Sequence, residues 1–309
     1  MNAIIEVDGL FKKFGAVQAV SDLSFSVQKG QVYGFLGQNG AGKSTTIRML
    51  LTLIQPSSGS IQLFGLNLQK HRKKILQQVG AIIEKPDLYN YLTALQNLKL
   101  MATLSGVQPT NNQLLQQLET VGIAGRANST VKTFSQGMKQ RLGIACELVH
   151  NPGLVILDEP TNGLDPQGIA DMRNLVLNLT RAEGKTVFVS SHLLSEIELM
   201  ADAMLIIDKG RKVAEGALSE LLDPAKTVVT IQTPDVAKAA QLLQNGKWGF
   251  EKVTPTGVQL RLHRDAIPLV NKYLIESGVA VSALTPRHSL EDYFLSLTSA
   301  NQHVVPVEA

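Results

Sequence analysis

The chain opens with polar and apolar positions in alternation. "IIEVDGLFKKF" and "LSFSV" carry the period of two expected of half-buried strands, and the fully apolar "VYGFL" bounded by glycines reads as a strand buried on both faces. From Lys43 the period lengthens: Ile47, Leu50, Leu51 and Ile54 recur at helical spacing, and the pattern stops at "QPSSG". Between about residues 85 and 133 helix-forming Leu and Gln dominate ("LTALQNLKLMATL", "NNQLLQQLETVGI") without a strand signal, which predicts a helical insertion, taken as 85–150 with its closing helix. "GLVILDEP", "KTVFVSS" and "DAMLIIDKG" then return as strands separated by helical stretches. That α/β alternation predicts a mainly parallel sheet.

Beyond "AEGALSELL" the pattern changes again. "TVVTIQ", "VAKAAQLLQ", "FEKV", "VQLRLH", "IPLVNKYLIESG" and "VAVSALT" follow one another as βαββαβ, the order of a small ferredoxin-like α+β domain, with a last helix in "SLEDYFLSL". The expected organisation is therefore a domain over 1–222, a second over 223–300 and a disordered tail over 301–309. A length of 309 residues suits one large domain plus a smaller one.

Charge and composition narrow the function. With 44% apolar and 18% charged residues the chain is that of a folded protein, and a net charge of +3 from 29 basic and 26 acidic residues is too slight for a nucleic-acid groove. The one basic run, "KHRKK" (Lys70 to Lys74), reads as a solvated helix start. A single cysteine, Cys146, excludes an internal disulfide and fits a core position in a reducing compartment. No basic segment with a long apolar stretch opens the chain and no run of about 18 apolar residues occurs, so neither a signal peptide nor a membrane span is expected.

"GQNGAGKS" (Gly37 to Ser44) fits G-x-x-x-x-G-K-[ST] between an apolar strand and a helix. Its glycines let the backbone N–H groups of Gly37, Gln38, Asn39, Gly40, Ala41, Gly42 and on to Thr45 curl around phosphate oxygens at a helix N-terminus, with Lys43 reaching the β and γ phosphates and Ser44 a Mg²⁺ ion. "LVILDEP" ends a strand in two adjacent carboxylates. Because side chains alternate along a strand, Asp158 and Glu159 can hold different jobs: Asp158 in the Mg²⁺ shell, Glu159 as general base. "FSQGM" offers Ser135 and Gly137 at a helix start, a second anion site whose helix would present Met138, Leu142, Ala145 and Val149 on one face. "TNGLDPQG" supplies Asp165 as N-cap before Pro166, and "VFVSSH" leaves His192 just past a strand. Taken singly, the last three are as well explained by caps, turns and packed rings.

The order of these pieces resembles the ATP-binding subunit of an ABC transporter over about residues 4–220, and the C-terminal part is similar, more loosely, to the accessory domain of some ABC-2 exporter cassettes. The resemblance implies an α/β P-loop NTPase cassette with a parallel core, an antiparallel β subdomain and the helical insertion, binding ATP and Mg²⁺. It implies that Phe14 stacks on adenine, that Ser135 and Gly137 meet the γ-phosphate held by a second copy, that Glu159 is the catalytic base, Asp165 a dimer contact and His192 a γ-phosphate sensor. It further implies a separate transmembrane permease at the cytoplasmic membrane face, no direct contact with the cargo and no nucleic-acid partner. Two departures stand out: "FSQGM" replaces the usual LSGGQ, and Glu84, in "IIEKPDLYNYLT", replaces the usual glutamine. That glutamate is similar to the one in bacitracin and lantibiotic exporter cassettes, and stands as a candidate metal ligand and catalytic group; facing the like charge of the γ-phosphate, Asp158 and Glu159, it is either ionised on Mg²⁺ or protonated and donating as a glutamine amide would. The rival classes are a soluble cassette ATPase on nucleic acid or ribosomes, which would carry two cassettes or a long coiled coil, and a regulatory cassette. Intact Lys43, Asp158, Glu159 and His192 speak against the latter.

Overall fold

The computed structural model describes residues 3–222, 227–246 and 248–287, and the chain divides into two compact units between Ala217 and Leu218. In the first, β1 (Ala3–Phe14) and β2 (Val17–Gln28) pair antiparallel, burying Ile5, Val7 and Leu10 with Leu23, Phe25 and Val27. β3 (Val32–Leu36) is buried at every position, and α1 (Lys43–Leu50) follows it. β4 (Ser58–Leu63) and β5 (Leu66–Asn67) complete an antiparallel sheet ordered β2-β1-β4-β5. β4 escapes the sequence pattern because only Ile61 and Leu63 of its residues are buried.

A short α2 (Arg72–Leu76) leads to β6 (Val79–Ile82) and then to the insertion: α3 (Ala94–Leu104), α4 (Asn111–Thr120) and α5 (Gln136–Leu148). Local chemistry sets where α3 and α4 begin, since Thr93 with Gln96 and Thr110 with Gln113 form reciprocal capping boxes. α5 differs from the one-faced helix expected. Wedged between β6 and the pair α3 and α4, it buries every residue from Leu142 to Cys146, and Val149 serves as its C-cap.

β7 (Leu154–Asp158), α6 (Pro166–Arg181), β8 (Thr186–Ser191), α7 (Leu194–Glu198), β9 (Ala203–Asp208) and β10 (Arg211–Ala217) finish the unit. The second sheet runs β10-β9-β3-β8-β7-β6, parallel except for the β9–β10 hairpin. One core joins both sheets: Phe25 of the antiparallel sheet lies with its ring centroid 6.1 Å from Phe35 and 6.2 Å from Phe188 of the parallel one. The sheets are also tied by Glu215, which accepts from Tyr33 Oη at 2.9 Å and from the Ser26 amide at 3.2 Å. Burial, reinforced by the Glu215 charge, raises the Tyr33 phenol far above its ordinary range, so it stays a neutral donor.

In the second unit, α8 (Leu218–Leu221) precedes β11 (Thr227–Gln232), α9 (Val236–Gln244), β12 (Phe250–Thr254), β13 (Gly257–Leu262), α10 (Ile267–Glu276) and β14 (Ala283–Arg287). Its strands are ordered β12-β13-β11-β14, every neighbour antiparallel, which is the ferredoxin-like arrangement. Val229, Ile231, Leu260, Leu243 and Leu274 make its core. The helix read in "SLEDYFLSL" and the tail over 301–309 lie outside the described residues.

Gly143 lets α5 approach the chain just after Glu84, because a Cβ there would stand 2.3 Å from Pro86 Cβ and 2.9 Å from Pro86 Cγ, in a ring that cannot yield. Gly143→Ala is expected to cost about 1–3 kcal/mol by overpacking, read as a lower thermal unfolding midpoint.

Candidate nucleotide site

β3, β8 and β7 lie side by side and parallel, so the chain leaves all three on one edge of the sheet. The register is tight: Leu36 stands opposite Ser191, and Ser190 opposite Asp158. Strand pairing therefore gathers the phosphate loop, the "DE" pair and His192 at the carboxyl edge, where open parallel sheets bind ligands.

Backbone geometry explains the loop's glycines. A Cβ on Gly37 would come within 2.6 Å of Ile207 O, and Gly42, at φ 105, would place one 2.6 Å from Ala19 O. Lys43, at 5% exposure, is a buried cation and needs partners. Its Nζ donates to Gly37 O at 2.7 Å and Gln38 O at 3.3 Å, and pairs with Glu159 Oε1 at 3.1 Å. The other Glu159 oxygen, Oε2, is held by His192 Nδ1 at 2.5 Å.

Glu159 sits at φ 52, a left-handed conformation that costs about 1–3 kcal/mol and persists only where its surroundings enforce it. Ser190 supplies the enforcement. Its hydroxyl accepts from the Glu159 amide at 3.0 Å and donates to Asp158 Oδ1 at 2.5 Å. Asp158 is 1% exposed, and its Oδ2 is buried without a partner among the described residues.

Gln38, Asn39, Gly40, Gly42, Lys43, Ser44, Thr45, Glu159 and His192 all line one cleft of about 470 Å³. Ala41 is buried behind it, with Gly37 at the loop's base. Motif reading missed several neighbours: Val17, Gln18 and Ala19 from the start of β2, Asn162, and Lys209, which sits at φ 47 before Gly210 in the β9–β10 turn. The "KG" pair between two strands is the signal that could have placed Lys209, since a two-residue hairpin favours positive φ at both positions. Ser190 carried no such signal.

The remaining candidates lie outside the cleft lining. Phe14, half exposed at the tip of the β1–β2 hairpin, has Lys12 Nζ 4.8 Å from its ring centroid. Ser135 caps α5 by accepting from the Met138 amide at 3.3 Å, and Asp165 caps α6 by accepting from the Gly168 amide at 3.1 Å. These two caps adjoin, because a Cβ on Gly137 would lie 3.8 Å from Leu164 Cδ2. Glu84 departs from the expectation of crowding with Asp158 and Glu159: it is exposed, at φ 62, and paired with Arg48 of α1 at 2.8 Å. Its neighbour in charge is a cation. Cys146 is core as expected, its thiol pushed up to about 12 by burial and then by the Glu147 charge, so it is no nucleophile.

A buried lysine on a glycine-rich strand-to-helix loop, facing a strand-end carboxylate, defines a P-loop nucleotide-binding cassette. Residues 20–162 match the family model for ABC transporters. The chain is 42% identical over 300 residues to the bacitracin transport ATP-binding protein BcrA of Bacillus licheniformis, an alignment covering 96% of this chain and 98% of that one. With the lantibiotic transport ATP-binding protein SrtF of Streptococcus pyogenes it shares 41% identity, covering 69% of this chain and 90% of the relative. Among solved structures, the ATP-binding subunit of an ABC transporter superimposes with a TM-score of 0.63 at 33% identity, covering 71% of this chain and 91% of that one. A dimeric ATP-binding cassette holding ADP and phosphate shares the fold at a TM-score of 0.62 and 23% identity, covering 69% and 98%. The chain belongs to the ABC transporter ATP-binding family, and is an ATPase of the kind coupled to transport.

Because one hydroxyl fixes both Asp158 and the Glu159 backbone, Ser190→Ala is expected to lower ATP turnover about 10–100-fold. Ser190→Thr, which keeps the hydroxyl, should recover most of it. Steady-state ATPase assays alongside thermal melts check this: a loss explained by unfolding, or equal activity of both variants, would contradict the assigned role.

Proposed function

We propose that this cassette is the ATP-hydrolysing subunit of an exporter of peptide antibiotics, working as a head-to-tail homodimer beneath a separate transmembrane permease on the cytoplasmic face of the membrane. The observation that carries the mechanism is the split hold on Glu159: Lys43 on one oxygen, His192 on the other. The β and γ phosphates of ATP compete for the Lys43 ammonium, as its place in the phosphate loop requires. Once Lys43 turns to them, Glu159 Oε1 is free to take a proton from the attacking water. His192 keeps Oε2 and so the orientation of the base. Its Nε2 has no partner among the described residues, which leaves an N–H donor position for a γ-phosphate oxygen.

Mg²⁺ fits the same edge. The Ser44 hydroxyl and Asp158 offer the oxygen donors that ion selects, and Oδ2 of Asp158 is a buried acceptor with no donor among the described residues. When bound, it would neutralise charge developing on the transferred phosphoryl group. Glu84, held outward by Arg48, is better suited to link α1 to the insertion than to join that donor set.

The adjoining caps support the dimer: Ser135 and Gly137 offer a second anion-suited helix start outside the chain's own cleft, and Asp165 beside them offers a dimer contact. Each would complete the site of the other copy, while Phe14 stacks on adenine with Lys12 on its ring. Closure of the pair would move α3 to α5 and the permease docked near Glu84 to Leu92. The names of the bacitracin and lantibiotic relatives support the cargo class. The cassette itself would touch neither cargo nor nucleic acid.

Glu159→Gln is expected to bind ATP, to lose about 10²–10⁴-fold in turnover, and to elute as a closed dimer in gel filtration with ATP and Mg²⁺. A monomer at saturating nucleotide contradicts the shared-site mechanism. For the cargo, expressing the cassette with its permease in a bacitracin-sensitive bacterium should raise the inhibitory concentration of a cyclic or lantibiotic peptide. Unchanged inhibition across that class contradicts it.

A further inference from the structure

Between Asp22 and Glu84 the chain contains no aspartate or glutamate, yet it carries Lys70, Arg72, Lys73 and Lys74 close together. All four are exposed, and none of the three lysines pairs with a carboxylate among the described residues. With 29 basic against 26 acidic residues overall, so local an imbalance is not inherited from composition. It leaves a mainly basic face around α2, with the nearest acid along the chain, Glu84, already paired with Arg48.

Beside that face lies a cleft of about 350 Å³ lined by Thr52, Gln55, Ser60, Asn67, Gln69 and Arg72. Arg72 leans over it, its Nε donating to Thr52 Oγ1 at 2.6 Å, while its two Nη groups bond to no described residue. Those remaining donors form the fork that matches a phosphate. Glu6 and Asp8 stand on β1, opposite Gln62 and Ser60, and are the carboxylates nearest in the sheet.

The position of this face follows from α1. Thr52, just past its C-cap, holds Arg72, and Arg48 in its last turn holds Glu84, so the basic run and the proposed permease joint share one end of one helix. A permease docked at that joint, as proposed above, would turn this end of α1 and the exposed Lys70 to Lys74 toward the membrane. We propose that this face binds anionic phospholipid, with the Arg72 cleft taking a headgroup phosphate and the three lysines adding surface attraction. The inference rests on the peripheral location argued above. It adds a membrane contact belonging to the cassette itself.

The test is co-sedimentation of the full chain with vesicles of phosphatidylcholine alone or mixed with phosphatidylglycerol. Binding is expected only to the mixed vesicles, fading as salt rises. Each of Lys70→Gln, Lys73→Gln and Lys74→Gln should weaken it about five-fold. Arg72→Gln should weaken it as well, and ATPase activity should be unchanged throughout. Equal binding to both vesicle types, or unchanged binding of the triple lysine variant, overturns the proposal. So does a triple variant that binds vesicles normally but fails to assemble with the permease in detergent, since the face would then be a protein contact. Failure of the parent to assemble with any permease would instead count against the transport reading.

Discussion

A buried ammonium cannot be left alone, and the nucleotide edge of this cassette is organised around that requirement. Lys43 is drawn inside by a loop whose glycines bring backbone against backbone, at Gly37 and Gly42. Two carbonyls and one carboxylate oxygen then satisfy it. In the mechanism proposed for this cassette, that carboxylate is also the base that acts on water. Without nucleotide, cation and carboxylate therefore hold each other, and in the proposed mechanism a triphosphate separates them by giving Lys43 a more highly charged partner.

That arrangement demands precision in Glu159, and the fold provides it at a cost. The residue is strained at φ 52, directly after a strand with no freedom to shift register. Ser190, on the adjacent strand, holds the strained amide with one lone pair and orients Asp158 with its proton. Asp158 keeps its second oxygen unengaged for that reason. Strand pairing, strain and metal-suited chemistry thus meet in one buried hydroxyl.

How much of this was legible in the sequence depended on range. The phosphate loop, Asp165 as a cap and the α/β alternation are written in neighbouring residues, and all were readable from spacing. β4 was not, with only two buried side chains, nor was the all-round burial of α5, which comes from elements packed against it rather than from its own period. The role of Ser190 depends on an acid 32 residues away, and the partner of Glu84 on an arginine 36 residues away. For Glu84 the local reading pointed to crowding among carboxylates, whereas the fold supplies Arg48. Spacing along a chain does not report which charges the fold brings together.

The hold of Glu159 on Lys43 has a direct thermodynamic signature. Calorimetric titration of a non-hydrolysable ATP analogue into the wild type and into Glu159→Gln, at protein concentrations low enough to keep the free chain monomeric, compares a lysine that must leave a carboxylate with one that does not. Binding to the Gln variant is expected to be tighter, because removing the charge frees Lys43 and relieves repulsion of the γ-phosphate. Equal or weaker binding would show that Glu159 does not restrain Lys43 in the nucleotide-free protein.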